Sequence, residues 1–336
     1  MKAFIYRGKN RLVFENIPKP SIGPDEILLK VKSVGICGTD LHIYHGGTDV
    51  KQGTIIGHEF SGEVAVVGRN VENFKVGDRA VAEHVVTCKT CYYCVRGKPN
   101  LCVKAEILGI QRPGALAEFI AIPGDLVYKI PRTINFEEGA LIEPLTIALF
   151  AASRAGFLLE KTVAVVGQGP IGILLDQVLA TAGAHVIGID VLPHRLAFVQ
   201  KKGWAGATLD ARSKDFTKAF RALSPMGVDA AFEAVGKDAT ANLCLEIARR
   251  DGDVHLLGVF EKPSTLDLMK LIKKELNVFG SWTCSFSFPD AIDLVARKKI
   301  ELTPLVTHRY RFDDAVRAFK EADAYSDNRI KTVINF

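Results

Sequence analysis

From residue 161 to about 280 the chain alternates short, apolar, β-branched runs with helical patterns, and few folds accept that rhythm. The runs are 162–167, 185–190, 228–235, 254–259 and 276–280, with a shorter one at 207–210. Helical periodicity covers 171–182, 193–202, 215–223, 239–250 and 267–274 between them. Continuous apolar strands are buried on both faces, so this stretch is expected to be an α/β unit, a parallel sheet covered by helices on each side.

Where the first run ends, Gly167-Gln168-Gly169-Pro170-Ile171-Gly172 reads G-x-G-x-x-G and opens a helix. Glycine there permits a tight turn and lets backbone approach a pyrophosphate at the helix N-terminus. Gly167, Gly169, Pro170, Ile171 and Gly172 are therefore candidate dinucleotide-binding residues in a Rossmann doubly wound sheet. Asp190 ends the next run, where a carboxylate accepts hydrogen bonds from the adenosine ribose and repels a 2′-phosphate. NAD is expected over NADP. Arg195, a turn later, either pairs with Asp190 or stacks on adenine.

A chain of 336 residues exceeds what one hydrophobic core usually supports. Before residue 119 the rhythm is different, with short Val/Ile/Leu runs at 27–34, 62–67 and 78–83 punctuated by Gly and Pro, as in a β-rich domain. Helix-then-strand segments after 281 are expected to rejoin that first domain. With 43 basic and 38 acidic residues the net charge is +5, and no Lys/Arg block points to nucleic acid or a membrane surface. The apolar stretch 141–159 is broken by Glu143, Pro144 and Arg154, so it reads as a buried helix entry and not a membrane span. No signal-peptide pattern opens the chain, and a cytoplasmic location is expected.

Four of the seven cysteines, Cys88, Cys91, Cys94 and Cys102, form C-x2-C-x2-C-x7-C. Two-residue gaps let thiolates converge on one ion, and four of them leave no coordination position for substrate, so a structural zinc is expected. Lys89, Arg96, Lys98 and Lys104 would offset the negative charge of that cluster. Cys37 and His58 supply a second kind of pair, one soft thiolate and one imidazole, suited to a zinc that stays open to substrate. Glu143 could complete that set or sit just behind it.

Taken together, Cys-Gly-Thr-Asp-x-His at 37–42, Gly-His-Glu-x-x-Gly at 57–62, the four-cysteine lobe, Glu-Pro-Leu at 143–145 and G-x-G-x-x-G resemble the zinc-dependent medium-chain alcohol dehydrogenase family in order and spacing. The likeness spans essentially the whole chain. Glu143-Pro144-Leu145 is most similar to the sorbitol, glucose and butanediol branch, while Cys-Gly-Thr-Asp-Leu-His-Ile-Tyr also resembles threonine dehydrogenases. The resemblance implies a GroES-like catalytic domain at 1–149 bearing the zinc lobe, an NAD-binding domain at 150–283, and a C-terminal segment at 284–336 that rejoins the first.

By the same resemblance, Cys37, His58 and Glu59 hold a catalytic zinc, with Glu143 as an alternating or water-mediated partner. Asp40 orients His58, and Thr39 passes the substrate proton toward His42 and solvent. One catalytic and one structural zinc per subunit, NAD, a small-molecule alcohol substrate and a homodimer or homotetramer are implied. The expected reaction is hydride transfer from a secondary alcohol of a polyol or sugar derivative to NAD. Gly280-Ser281-Trp282 stands where polyol dehydrogenases often carry an Arg-Tyr pair, which leaves the individual alcohol open. L-threonine 3-dehydrogenase is the nearest alternative. A non-catalytic nucleotide-sensing scaffold and a nucleic-acid-binding lobe are rivals from other classes, the first opposed by the presence of every ligand and relay residue.

Overall fold

The change of rhythm along the chain is matched by two units, Met1–Glu143 with Ser285–Phe336, and Pro144–Cys284, in a computed structural model that describes residues 1–323 and 328–336. In the first unit, β1 (Lys2–Tyr6) pairs antiparallel with β2 (Leu12–Asn16). The spine is β3 (Glu26–Gly35), whose Ile27, Leu28, Leu29, Val31 and Val34 are buried. It pairs antiparallel with β4 (Glu59–Val67), β8 (Phe119–Pro123) and β17 (Lys331–Asn335). With β5 (Arg79–Ala82), β9 (Val127–Lys129) and β16 (Val306–Arg311) these make a seven-stranded sheet. A small pair, β6 (Val85–Val86) and β7 (Glu106–Ile107), lies either side of the cysteine lobe in sequence. Phe4, Ile27, Leu29, Phe60, Leu116 and Phe319 fill the core, each worth about 1.5–3 kcal/mol of apolar burial.

Helix α1 (Gly38–Tyr44) follows β3 directly, and α2 (Phe136–Ala140) precedes α3 (Ile142–Ser153). The unit boundary falls in the first turn of α3, between Glu143 and Pro144. Ile142, Leu145, Ala148 and Ala151 of that helix are buried. Among the described residues no helix is long and apolar enough to cross a membrane.

The second unit is a six-stranded parallel sheet of β10 (Thr162–Val166), β11 (His185–Asp190), β12 (Ala207–Asp210), β13 (Val228–Glu233), β14 (Ala248–Leu256) and β15 (Asn277–Gly280). Between them run α4 (Pro170–Thr181), α5 (Pro193–Lys202), α6 (Phe216–Leu223), α7 (Asp238–Ile247) and α8 (Leu268–Lys274). The order β12-β11-β10-β13-β14-β15 reverses direction between β10 and β13, which is where doubly wound sheets open a ligand crevice. One boundary differs from the expected helix at 239–250: α7 stops at Ile247, and Ala248 pairs with Val228 to begin β14. Arg249 is drawn into the strand by its Nε, which donates to Asp229 at 2.9 Å, a partner that helical periodicity cannot reveal.

His255 is fully buried in β14 between the rings of Phe232 and Phe279, at centroid distances of 4.7 and 5.0 Å, and neither ring nitrogen has a hydrogen-bond partner among the described residues. Burial lowers its pKa to about 4, with Arg154 adding to the effect and Asp253 opposing it. An unfolded histidine protonates near pH 6.5, so below that pH the unfolded state binds a proton that the folded state refuses, and stability falls until about pH 4. Urea unfolding should find His255→Leu losing about 2 kcal/mol less than the wild type between pH 7 and pH 5. Equal losses in the two proteins would rule out His255 as the source.

Candidate active site and metal centres

Antiparallel pairing brings the end of β3 beside the start of β4, with Gly35 opposite Glu59. Cys37, two residues beyond Gly35, caps the N-terminus of α1, and His58 immediately precedes β4. Asp40 fastens the two segments together. Its Oδ2 accepts the Cys37 N–H at 2.9 Å, and its Oδ1 accepts the Gly57 N–H at 3.2 Å and lies 3.5 Å from His58 Nδ1. A β-carbon at 35 would collide with Glu59 Oε2, so glycine there leaves room for that carboxylate in its present place.

As a result the Cys37 sulfur, a His58 nitrogen and a Glu59 oxygen all lie within 4.8 Å of one another, with His58 and Glu59 buried. Burial would lower the His58 pKa, but the charges of Asp40 and then Cys37 outweigh it and raise it well above the ordinary value. The same negative surroundings favour a divalent cation, and the thiolate, imidazole and carboxylate set suits zinc. Thr39 and His42 are both half-buried on α1, three residues apart and hence on one face of the helix.

Two residues that carry no sequence signal complete the surroundings. Lys331, 3 % exposed in its side chain, opens β17 and places Nζ 2.5 and 2.6 Å from the two Glu59 oxygens. Burial raises the Glu59 pKa, Lys331 pulls it down, and the net shift is upward. His84 stands in the link between β5 and β6, its Nδ1 3.0 Å from Glu143 Oε1, at hydrogen-bond distance without the ideal direction. The His58 and His84 ring centroids are 5.5 Å apart. Burial would raise the Glu143 pKa, yet His84, His58 and Lys331 together bring it below the usual carboxylate value. Glu143 is thus held near Cys37, His58 and Glu59 but outside their group of mutually close ligand atoms.

In the lobe between β6 and β7, the sulfurs of Cys88, Cys91, Cys94 and Cys102 also lie within 4.8 Å of one another. Cys91–Cys94 and Cys88–Cys102 separations of 3.5 Å exclude disulfide bonds and approach the ~3.8 Å edge of a tetrahedron with 2.3 Å zinc–sulfur bonds. Backbone N–H groups of Cys88 and Lys104 donate to the Cys102 sulfur at 3.3 and 3.4 Å. The backbone beside Thr90 holds the Cys88 pKa at about 6, while burial raises that of Cys94 to about 11. Of the cations expected to offset the cluster, Lys89 pairs with Asp125 at 2.6 Å and Arg96 stacks 3.8 Å over the Tyr92 ring.

The glycine motif sits at the end of β10, beside the strand-order reversal. Gly169 is the N-cap of α4, with Pro170 and Ile171 in its first turn. Gly172 packs so closely that a β-carbon would collide with the Gly167 carbonyl. Asp190, at the end of β11, is 8 % exposed and accepts N–H bonds from Gln168 at 2.6 Å, Val191 at 2.6 Å and Leu192 at 2.8 Å. Arg195 in α5 turns toward it, with 3.8 Å between Nη1 and Oδ2. Trp282, just beyond β15, is 55 % exposed.

The first unit and the second each match a family model. Residues 23–132 match the alcohol dehydrogenase GroES-like domain and 170–297 the zinc-binding dehydrogenase domain. Sorbitol dehydrogenase of Bacillus subtilis strain 168 is 32 % identical over 342 residues, covering 99 % of this chain and 97 % of the relative. Among solved structures, a Sinorhizobium meliloti 1021 zinc-binding dehydrogenase bound to NADP superposes with a TM-score of 0.93 at 30 % identity, covering 100 % of this chain and 99 % of the other. An alcohol dehydrogenase, rspB, from Escherichia coli CFT073 complexed with NADH gives 0.94 at 30 %, with the same coverage. The chain belongs to the zinc-dependent medium-chain alcohol and polyol dehydrogenase family, whose chemistry rests on zinc and a nicotinamide cofactor.

Proposed function

We propose that this protein oxidises a secondary alcohol of a polyol or sugar derivative with NAD as hydride acceptor. The observation that carries the reading is the convergence of Cys37, His58 and Glu59 beside the Thr39–His42 face of α1. Cys37, His58 and Glu59 would hold a zinc ion that acts as a Lewis acid, stabilising negative charge on the substrate oxygen while nicotinamide accepts hydride. Asp40 Oδ1, 3.5 Å from His58 Nδ1, is placed to orient the ring and favour the tautomer that carries its proton on Nδ1. The Thr39 hydroxyl accepts the substrate proton, and half-buried His42 passes it toward solvent.

Cys88, Cys91, Cys94 and Cys102 would hold a second, structural zinc. Gly167, Gly169, Pro170, Ile171 and Gly172 cradle the pyrophosphate, and Asp190, with Arg195 at its edge, reads the ribose. A homodimer or homotetramer is supported by the exposed Leu268, Met269 and Ile272 on α8, and light scattering of the purified chain reads it directly.

One panel tests the reading: turnover with NAD and NADP on sorbitol, galactitol, butanediol, inositol, sugar acids and threonine, for wild type and Asp190→Ala. A best polyol with NAD, and a NAD preference about tenfold or more weaker in Asp190→Ala, are expected. Threonine as the only substrate would overturn the substrate class. An unchanged cofactor ratio would remove Asp190 from ribose recognition.

A further inference from the structure

In the second unit the reversal of strand order divides the sheet into two halves of three strands. The glycine turn after β10 and Asp190 at the end of β11 belong to the first half, which takes the adenosine side of a dinucleotide. The other mononucleotide then falls to the turns that follow β13 and β14. One residue, Glu233, the last of β13 and 0 % exposed, holds both turns.

Its Oε1 accepts three hydrogen bonds, from the Val235 N–H at 3.0 Å, the Gly236 N–H at 2.8 Å and the Thr240 hydroxyl at 2.6 Å. Its backbone carbonyl accepts from the N–H groups of Leu257 at 2.9 Å and Gly258 at 3.2 Å. The side chain thus ties the turn after β13 to the start of α7, while the main chain ties the turn after β14. The two turns touch: a β-carbon at Gly258 would lie 2.0 Å from the Gly236 nitrogen and 2.5 Å from Glu233 Oε2. The first of them also abuts the glycine motif, since a β-carbon at Gly167 would lie 2.4 Å from Val235 Cγ2. Oε2 has no hydrogen-bond partner among the described residues, so the donors gathered on Oε1 carry the compensation of this buried carboxylate.

We propose that Glu233 is a positioning residue for the nicotinamide mononucleotide of the cofactor, fixing the turns after β13 and β14 as the surface on which that half lies. The inference rests on the nicotinamide-cofactor reading above and adds which residue builds the second half of the site. Removing the carboxylate strands three donors at once and frees both turns, whereas the glycine turn and Asp190 keep their own bonds.

That difference separates a positioning role from general support of the fold. ADP lacks the second ribose and the nicotinamide, so it reports on the first half of the site alone. Affinities of the purified full chain for NADH, read by its fluorescence, and for ADP, read by calorimetry, are compared across variants. Glu233→Ala should bind NADH about tenfold or more weakly, with ADP affinity within about twofold of wild type. Glu233→Gln keeps one oxygen for the three donors and should recover most of the loss. Thr240→Val removes a single donor and should weaken NADH alone, by about threefold.

Unchanged NADH affinity in a folded Glu233→Ala protein would overturn the proposal, as would equal losses for NADH and ADP or no recovery in Glu233→Gln. If Glu233→Ala does not fold, Thr240→Val decides: a loss confined to NADH supports the proposal, and no loss or an equal loss for ADP overturns it. A wild-type chain that binds neither NADH nor ADP would instead sink the cofactor reading, whatever Glu233 does.

Discussion

Cys37→Ser is expected to remove one zinc equivalent per chain and lower turnover by at least about three orders of magnitude, because the Lewis acid leaves with its only thiolate ligand. The fold should persist. Asp40 accepts from the Cys37 N–H, a bond the variant keeps, and serine is itself a favoured residue at the N-terminal cap of a helix. Elemental analysis and circular dichroism of one preparation check both parts. Substantial turnover with the zinc gone would remove Cys37, and the site with it, from the chemistry.

Lys331→Met should give the largest loss of stability. In the metal-free protein it strands the Glu59 carboxylate, 1 % exposed, without its cation, and breaking a buried pair on one side costs about 3–5 kcal/mol. The Glu59 pKa is already raised by burial, and without Lys331 it rises further. A folded carboxyl that keeps its proton longer than the unfolded one loses stability as pH rises from about 4.5 through the folded value. The deficit should therefore be larger at pH 8 than at pH 5, and smaller with zinc bound, since the ion supplies a countercharge. Denaturant unfolding at two pH values, with and without zinc, reads all three. A deficit independent of both would mean that Lys331 matters through packing alone.

These expectations divide between what is local in the chain and what is not. The six-strand rhythm, the glycine turn and the C-x2-C-x2-C lobe were legible from residues alone, because each is a short-range pattern imposed by backbone geometry or by ligand reach. Asp190 and Arg195 were legible for the same reason, being one strand and one turn from the glycines. The end of α7 was not. Whether Ala248–Arg250 continue a helix or begin a strand depends on Val228 and Asp229, which periodicity does not contain.

The active site divides in the same way. By itself the sequence put forward the thiolate and imidazole pair of Cys37 and His58 and the nucleotide motif, each within a short local pattern, while Glu59 entered as a candidate ligand through the family resemblance alone. Only the tertiary structure decided the partners of the two carboxylates. Lys331 lies 272 residues from Glu59 and arrives because β17 pairs with β3, while His84 reaches Glu143 across a strand link with no motif spacing. The physical reason is burial. A carboxylate taken out of water must find a cation or a hydrogen bond wherever the sheet delivers one, and sheet pairing is indifferent to distance along the chain.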